Sequence, residues 1–176
     1  MTRFSTRFAS FLLALCAALV GCDADPTVPR DASAPMQTDA LLYKVRETEW
    51  GYETRRAIGY VFTNELSTSV YVANCHRLVP PSLQKLEGGT WVAAWSAAVP
   101  LCKSPPIVIP GGQIYEDSLS VWGCVRGSTR CFPQFQAEGI TGVYRLVWHG
   151  VSTSPSGGDE IPLEQRVSNQ FVLSLE

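Results

Sequence analysis

The chain has only two histidines, His76 and His149. Any Ser-His-Asp relay or zinc centre would have to use one of them. His149 lies in Val143–Val151, where alternation puts Tyr144, Leu146 and Trp148 on one side and Arg145 and His149 on the other. The spacing predicts an imidazole on the solvent side of a strand. His76 follows Cys75 directly and reads as the neighbour of a bridged cysteine, not half of a nucleophilic pair. Glu116 and Asp117 are adjacent in a strand-like run, so their side chains diverge and cannot face one another as paired carboxylates. Asp159-Glu160 sits in a Ser/Gly/Pro loop and reads as solvated surface, at most a weak calcium ligand pair. No CxxC, HExxH, GxSxG or phosphate-cradling glycine loop occurs. These residue types predict no enzyme, no metal site and no cofactor.

Trp91 and Trp95 are the candidate binding residues. In a single strand they would share a face with Ala93. Two readings follow: buried core, as small sandwiches use tryptophan, or an exposed aromatic platform for a glycan or peptide.

The elements that must position these residues read as strands throughout, with no amphipathic helix of useful length. Leu41–Trp50 carries Leu42, Val45 and Trp50 among charges, and Ala57–Thr63 alternates with Ile58, Tyr60 and Phe62 together. Val70–Ala73 is β-branched and aromatic. Leu83–Leu86 and Trp91–Trp95 flank Glu87-Gly88-Gly89 as a hairpin. Ile107–Ile109, Ile114–Trp122, Val143–Val151 and Phe171–Leu175 follow, separated by Pro, Gly and Ser turns; Ser152–Pro162 reads as an exposed loop. Eight or nine short strands with frequent turns imply an all-β, two-sheet antiparallel sandwich.

The N-terminus reads differently. Arg3 and Arg7 precede an apolar run, Phe8–Val20, that is too short to span a bilayer. A basic start, a short apolar run and a small residue form the secretory-signal pattern. Leu19-Val20-Gly21-Cys22 resembles the lipobox of bacterial lipoprotein signal peptides. That resemblance implies cleavage after Gly21, acylation of Cys22 and a protein tethered outside the cytoplasm, facing the periplasm or the cell surface. Two or three acyl chains anchor firmly where one is marginal. The expected organisation is residues 1–21 signal peptide, 22–40 a flexible acidic, Pro-rich tether, and 41–176 one domain. The part from Cys22 onward has 12 basic and 16 acidic side chains, net −4, four of the acids lying before residue 41. The near-neutral remainder offers no electrostatic footprint for nucleic acid.

Cys75, Cys102, Cys124 and Cys131 remain in that domain, and an even count in an oxidising compartment implies disulfides. Four cysteines allow three pairings. Cys75–Cys102 with Cys124–Cys131 is favoured, because the second pair encloses a polar, glycine-containing loop able to close on itself.

Gly142-Val143-Tyr144-Arg145-Leu146-Val147 resembles the tyrosine-corner strand of immunoglobulin-like domains, with Leu146 where antibody domains place a cysteine. Together with Phe62-Thr63-Asn64, Val70-Tyr71, Leu83 to Val92, Ile109-Pro110-Gly111-Gly112 and Ser168-Asn169-Gln170-Phe171, the order of pieces is similar to the small bacterial immunoglobulin-like domains of secreted lipoproteins of unknown function. The resemblance implies an immunoglobulin-like sandwich of seven to nine strands in the cell envelope and carries no catalytic residues. The function expected is a non-enzymatic interaction module. It would be held to the bilayer through Cys22 and would contact an envelope protein or polysaccharide. The alternative is a protease inhibitor presenting a disulfide-braced loop, Leu101–Pro106 or Cys124–Cys131; a hydrolase ranks third.

Overall fold

The computed structural model describes residues 28–100 and 104–176. Among them the chain is all-β, with thirteen short strands and a single 3-10 turn, Leu163–Gln165. In chain order the strands are β1 Met36–Thr38, β2 Leu42–Glu47, β3 Gly51–Thr54, β4 Ile58–Thr63, β5 Val70–Val72, β6 Ser82–Glu87, β7 Thr90–Trp95, β8 Ile107–Ile109, β9 Ile114–Leu119, β10 Trp122–Cys124, β11 Gly142–Val147, β12 Val151–Ser152 and β13 Phe171–Leu175. They form three hydrogen-bonded sheets: β1-β4-β9, β10-β3-β2-β13-β11-β6-β7 and β12-β5-β8. This arrangement is consistent with a β-sandwich, but it has more strands than the expected seven to nine, and three sheets in place of two.

The extra strands arise because long sequence runs bend and change sheet. Ile114–Trp122 is not one strand. It breaks at Ser120-Val121, so that β9 pairs with β4 while β10 pairs with β3 in the large sheet. Val143–Val151 likewise ends as a strand at Val147 and resumes as β12 against β5. Leu41–Trp50 is one arm of a β2–β3 hairpin. Tyr43 and Val45 point into the core, whereas Leu42 and Trp50 are exposed. Gly51 is needed in that hairpin, because a Cβ there would fall 1.9 Å from the Gly123 carbonyl oxygen on β10.

The large sheet curls until its edges nearly meet. Residues 133–136 bridge them. Cys124 N–H donates to Pro133 O on the β10 side, and Gln136 N–H donates to Ala94 O on β7. Trp95 Nε1 reaches Trp122 O directly at 2.9 Å. Both edges are thereby engaged at this end, which shortens the open template for unwanted strand pairing.

The folded body begins earlier than composition suggests. Met36 is fully buried, β1 pairs with β4, and Asn169 Oδ1 accepts the Thr38 N–H at 2.7 Å. Arg30 Nη2 donates to Thr38 O, and Gln37 Nε2 to the carbonyls of Asp31 and Ala34. Residues 30–38 therefore belong to the folded body, and the domain does not begin at residue 41. The polar, Pro-containing run hides a strand of three residues too short to show a period.

The core is aromatic. Trp148 packs edge-on to Phe62 at 5.1 Å and against Tyr115 at 5.2 Å, with Nε1 bonded to Val79 O. Tyr43, Tyr144 and Phe171 form a second cluster. Ile58, Tyr60 and Phe62 all point inward, as their alternation requires. The Tyr144 hydroxyl donates to Ile140 O at 2.7 Å, the bond a tyrosine corner makes.

Candidate functional site

Trp91 and Trp95 do not share a face. Leu83 opposes Trp95 while Gln84 opposes Ala93, so a bulge in β7 takes up one residue and inverts the side-chain alternation. Trp95 turns inward and is 2% exposed. Trp91 stays on the outer face, half-buried, with the Arg145 guanidinium 4.4 Å from its ring centroid. Arg145 donates Nε–H and Nη2–H to Gln84 Oε1 at 2.9 and 2.7 Å, and burial lowers its pKa. Trp91 and Arg145 border a shallow cleft of about 340 Å³, whose other wall includes Asp31, Glu164, Asn169 and Gln170.

A second surface surrounds the Cys124–Cys131 disulfide, one of the favoured pairings. Ser128 N–H donates to Val125 O, closing a turn, and Gln134 is bonded to three residues of the loop: Gly127, Ser128 and Cys131. Val125 N–H donates to Trp50 O, and Arg130 lies over the Trp50 ring at 4.4 Å. The braced segment thus displays Trp50, Val125, Arg130 and Phe132, the last 65% exposed, with Trp122 nearby at 51%. The sequence marked the loop through its cysteines. It did not mark the aromatics around it, which are ordinary hydrophobic residues until the hairpin turns them outward.

This surface lies opposite the point of chain entry. Met36 bridges Ser168 in parallel, and β2 then runs parallel to β13 as far as Val45 beside Leu175. Trp50 lies beyond that end of the strands, Met36 before the other.

His149 is exposed as expected, with Ser82 Oγ 2.8 Å from its Nε2. Among the described residues no carboxylate bonds the imidazole, so the pair lacks the orienting acid of a relay. Glu160 is engaged by Arg166 at 2.5 Å and by the Gly150 N–H. His76 is exposed at φ 52° in a loop. Cys75 is disulfide-bonded; its expected partner Cys102, and the acylation candidate Cys22, lie outside the described residues. No family model, curated protein or solved structure matches this chain.

Proposed function

We propose that this chain is a lipid-anchored envelope protein whose immunoglobulin-like domain is a non-enzymatic binding module. In this reading the disulfide-braced end is the contact surface for an envelope protein. The single observation that carries it is the cluster Trp50, Val125, Arg130 and Phe132. All four side chains are exposed; Trp50 and Arg130 are stacked on each other, and Val125 and Phe132 sit on a backbone held by the disulfide and by the Val125 N–H bond to Trp50, at the end remote from chain entry. Exposed aromatic anchors on a preorganised loop lose little entropy on binding.

The immunoglobulin reading draws support from strand order. β1, β4 and β9 lie together as the A, B and E strands do, and β6, β11 and β13 adjoin with β7 at the edge, as C, F, G and C′ do. The tyrosine-corner bond is further support. The inhibitor alternative is less well served, because Val125–Ser128 is a closed turn and not an extended strand for a protease cleft. Acylation at Cys22 would leave eight residues before Arg30, a reach of at most about 29 Å. That would seat the domain against the bilayer with the aromatic end pointing away.

The test is site-specific photo-crosslinking in intact envelopes. A crosslinker at Phe132 should capture a discrete partner, and one at the exposed Asp159 should not; capture at neither site refutes the contact surface. Mass spectrometry of the native protein should find acyl chains on Cys22, and a free thiol there refutes the anchor.

A further inference from the structure

Ion pairs among the described residues include Arg46 with Glu53, Arg55 with Glu176, Arg56 with Asp39, Lys85 with Glu87 and Arg166 with Glu160. The cleft at Trp91 gathers three charges that stand outside these pairs. Arg145, Asp31 and Glu164 line one concavity, and among the described residues none of the three forms an ion pair with another or with any other residue. Arg145 is half-buried and preorganised, stacked on Trp91 and fixed by Gln84 Oε1. Those two bonds use two of its five N–H donors, so three remain. Asp31 Oδ1 accepts from Ser33 N and Oγ, leaving Oδ2 unengaged.

Such a lining selects its ligand by chemistry. A stacked guanidinium with spare donors recognises a carboxylate. Two unpaired carboxylates across the cleft would repel a simple anion but accept hydrogen bonds from hydroxyls. The exposed Gln170 amide extends the polar wall, Asn169 being spent on Thr38 and the Gln170 carbonyl, and the indole edge offers an apolar surface. An apolar ligand would bury the spare donors of the half-buried Arg145 without a partner. The volume is at the small end of ligand sites.

We propose that this cleft binds a short acidic saccharide, its carboxylate on Arg145 and its hydroxyls on Asp31 and Glu164. The site shares no residue with the Trp50 surface, so it stands or falls independently of the docking reading above. It is built partly from residues 31–35, the segment immediately before β1, and so exists only when that segment is folded onto the sheet.

The test is titration of the full-length chain in detergent with glucuronic acid, glucose, acetate and glycylglycine, followed by calorimetry and by the Trp91 indole N–H resonance. Glucuronic acid should bind and shift that resonance, while the buried Trp148 resonance stays still. Arg145→Gln should weaken binding at least about tenfold, the value of a charge-assisted bond or two, with the melting temperature lowered by no more than about 4 °C, the loss of one exposed cation–π contact. Glu164→Ala should reduce the preference for glucuronic acid over acetate, because it removes both a hydroxyl acceptor and a charge that repels the simple anion. Equal binding of acetate, tighter binding of glucose or of glycylglycine, or no binding of glucuronic acid by the folded protein would each overturn the proposal.

Discussion

Lys85 and Tyr144 face each other across β6 and β11 and reach into the same loop. Tyr144 donates to the Ile140 carbonyl, and the Lys85 ammonium donates to those of Glu138 and Gly139. Together they satisfy three consecutive carbonyls of a segment with no ladder of its own. We expect Tyr144→Phe to cost about 1–3 kcal/mol, the penalty for orphaning a buried acceptor. Lys85→Met should cost about as much. The double variant should lose less than the sum, because both act on one loop. Chemical denaturation of the four proteins measures all three values.

The buried phenols make stability fall at high pH. Tyr43, Tyr60, Tyr115 and Tyr144 all have pKa values raised above the usual range, burial being the largest cause in each. For Tyr43 the bond its hydroxyl donates to Asp39 adds to the shift. Unfolded tyrosine ionises near about pH 10. Above that pH the folded state holds more protons than the unfolded state, so stability falls as pH rises. It should be insensitive to these groups below about 10, then drop steeply as the pH climbs toward their folded values. Melting temperature against pH, followed alongside tyrosinate absorbance, should show ionisation and unfolding together; early ionisation of the four without unfolding would contradict this.

Tyr60 is the one described residue with a buried side-chain polar atom that finds no partner. Its ring packs against Trp148 at 6.2 Å, and its hydroxyl has lost water without gaining a bond. Tyr60→Phe should therefore stabilise the domain, by about 1 kcal/mol. A loss of stability would mean that the hydroxyl has a bonding role in solution.

The readable parts of the fold were those where one strand keeps one period. Ile58, Tyr60 and Phe62, and again Tyr144, Leu146 and Trp148, fall inside as their alternation requires. The Cys124–Cys131 bridge was legible from its short polar loop. What alternation cannot carry is a change of phase or of sheet. The β7 bulge separates Trp91 from Trp95 without any Gly or Pro to announce it, and the switch at Ser120-Val121 leaves the apolar pattern intact. The candidate cleft was half legible. Trp91 stood out by type, but Arg145, Asp31 and Glu164 come from three distant segments and meet only through packing.

The divergence of the two tryptophans can be measured. Trp95 is buried and its indole N–H ties β7 to β10, so Trp95→Ala should cost about 3–5 kcal/mol. Trp91→Ala removes a half-exposed ring stacked under Arg145 and should cost about 1 kcal/mol or less, the scale of an exposed cation–π contact. Equal losses at both positions would mean that the bulge does not form.

The disulfide separates stability from recognition. Cys124 and Cys131 are seven apart, so on the loop-entropy account their bond contributes on the order of 2 kcal/mol. Cys124 is wholly buried while Cys131 is not, so Cys131→Ser leaves one small thiol inside and is the milder way to open the bridge. The Val125–Ser128 turn would keep its own backbone bond and the contacts from Gln134, and the core strands do not depend on the loop. The variant should thus remain folded with a lower melting temperature, while the loop gains the freedom that the disulfide had restrained. Photo-crosslinking from Phe132 should then weaken far more than the stability loss explains. If the capture is undiminished in the opened variant, rigidity of this end is not what the partner recognises.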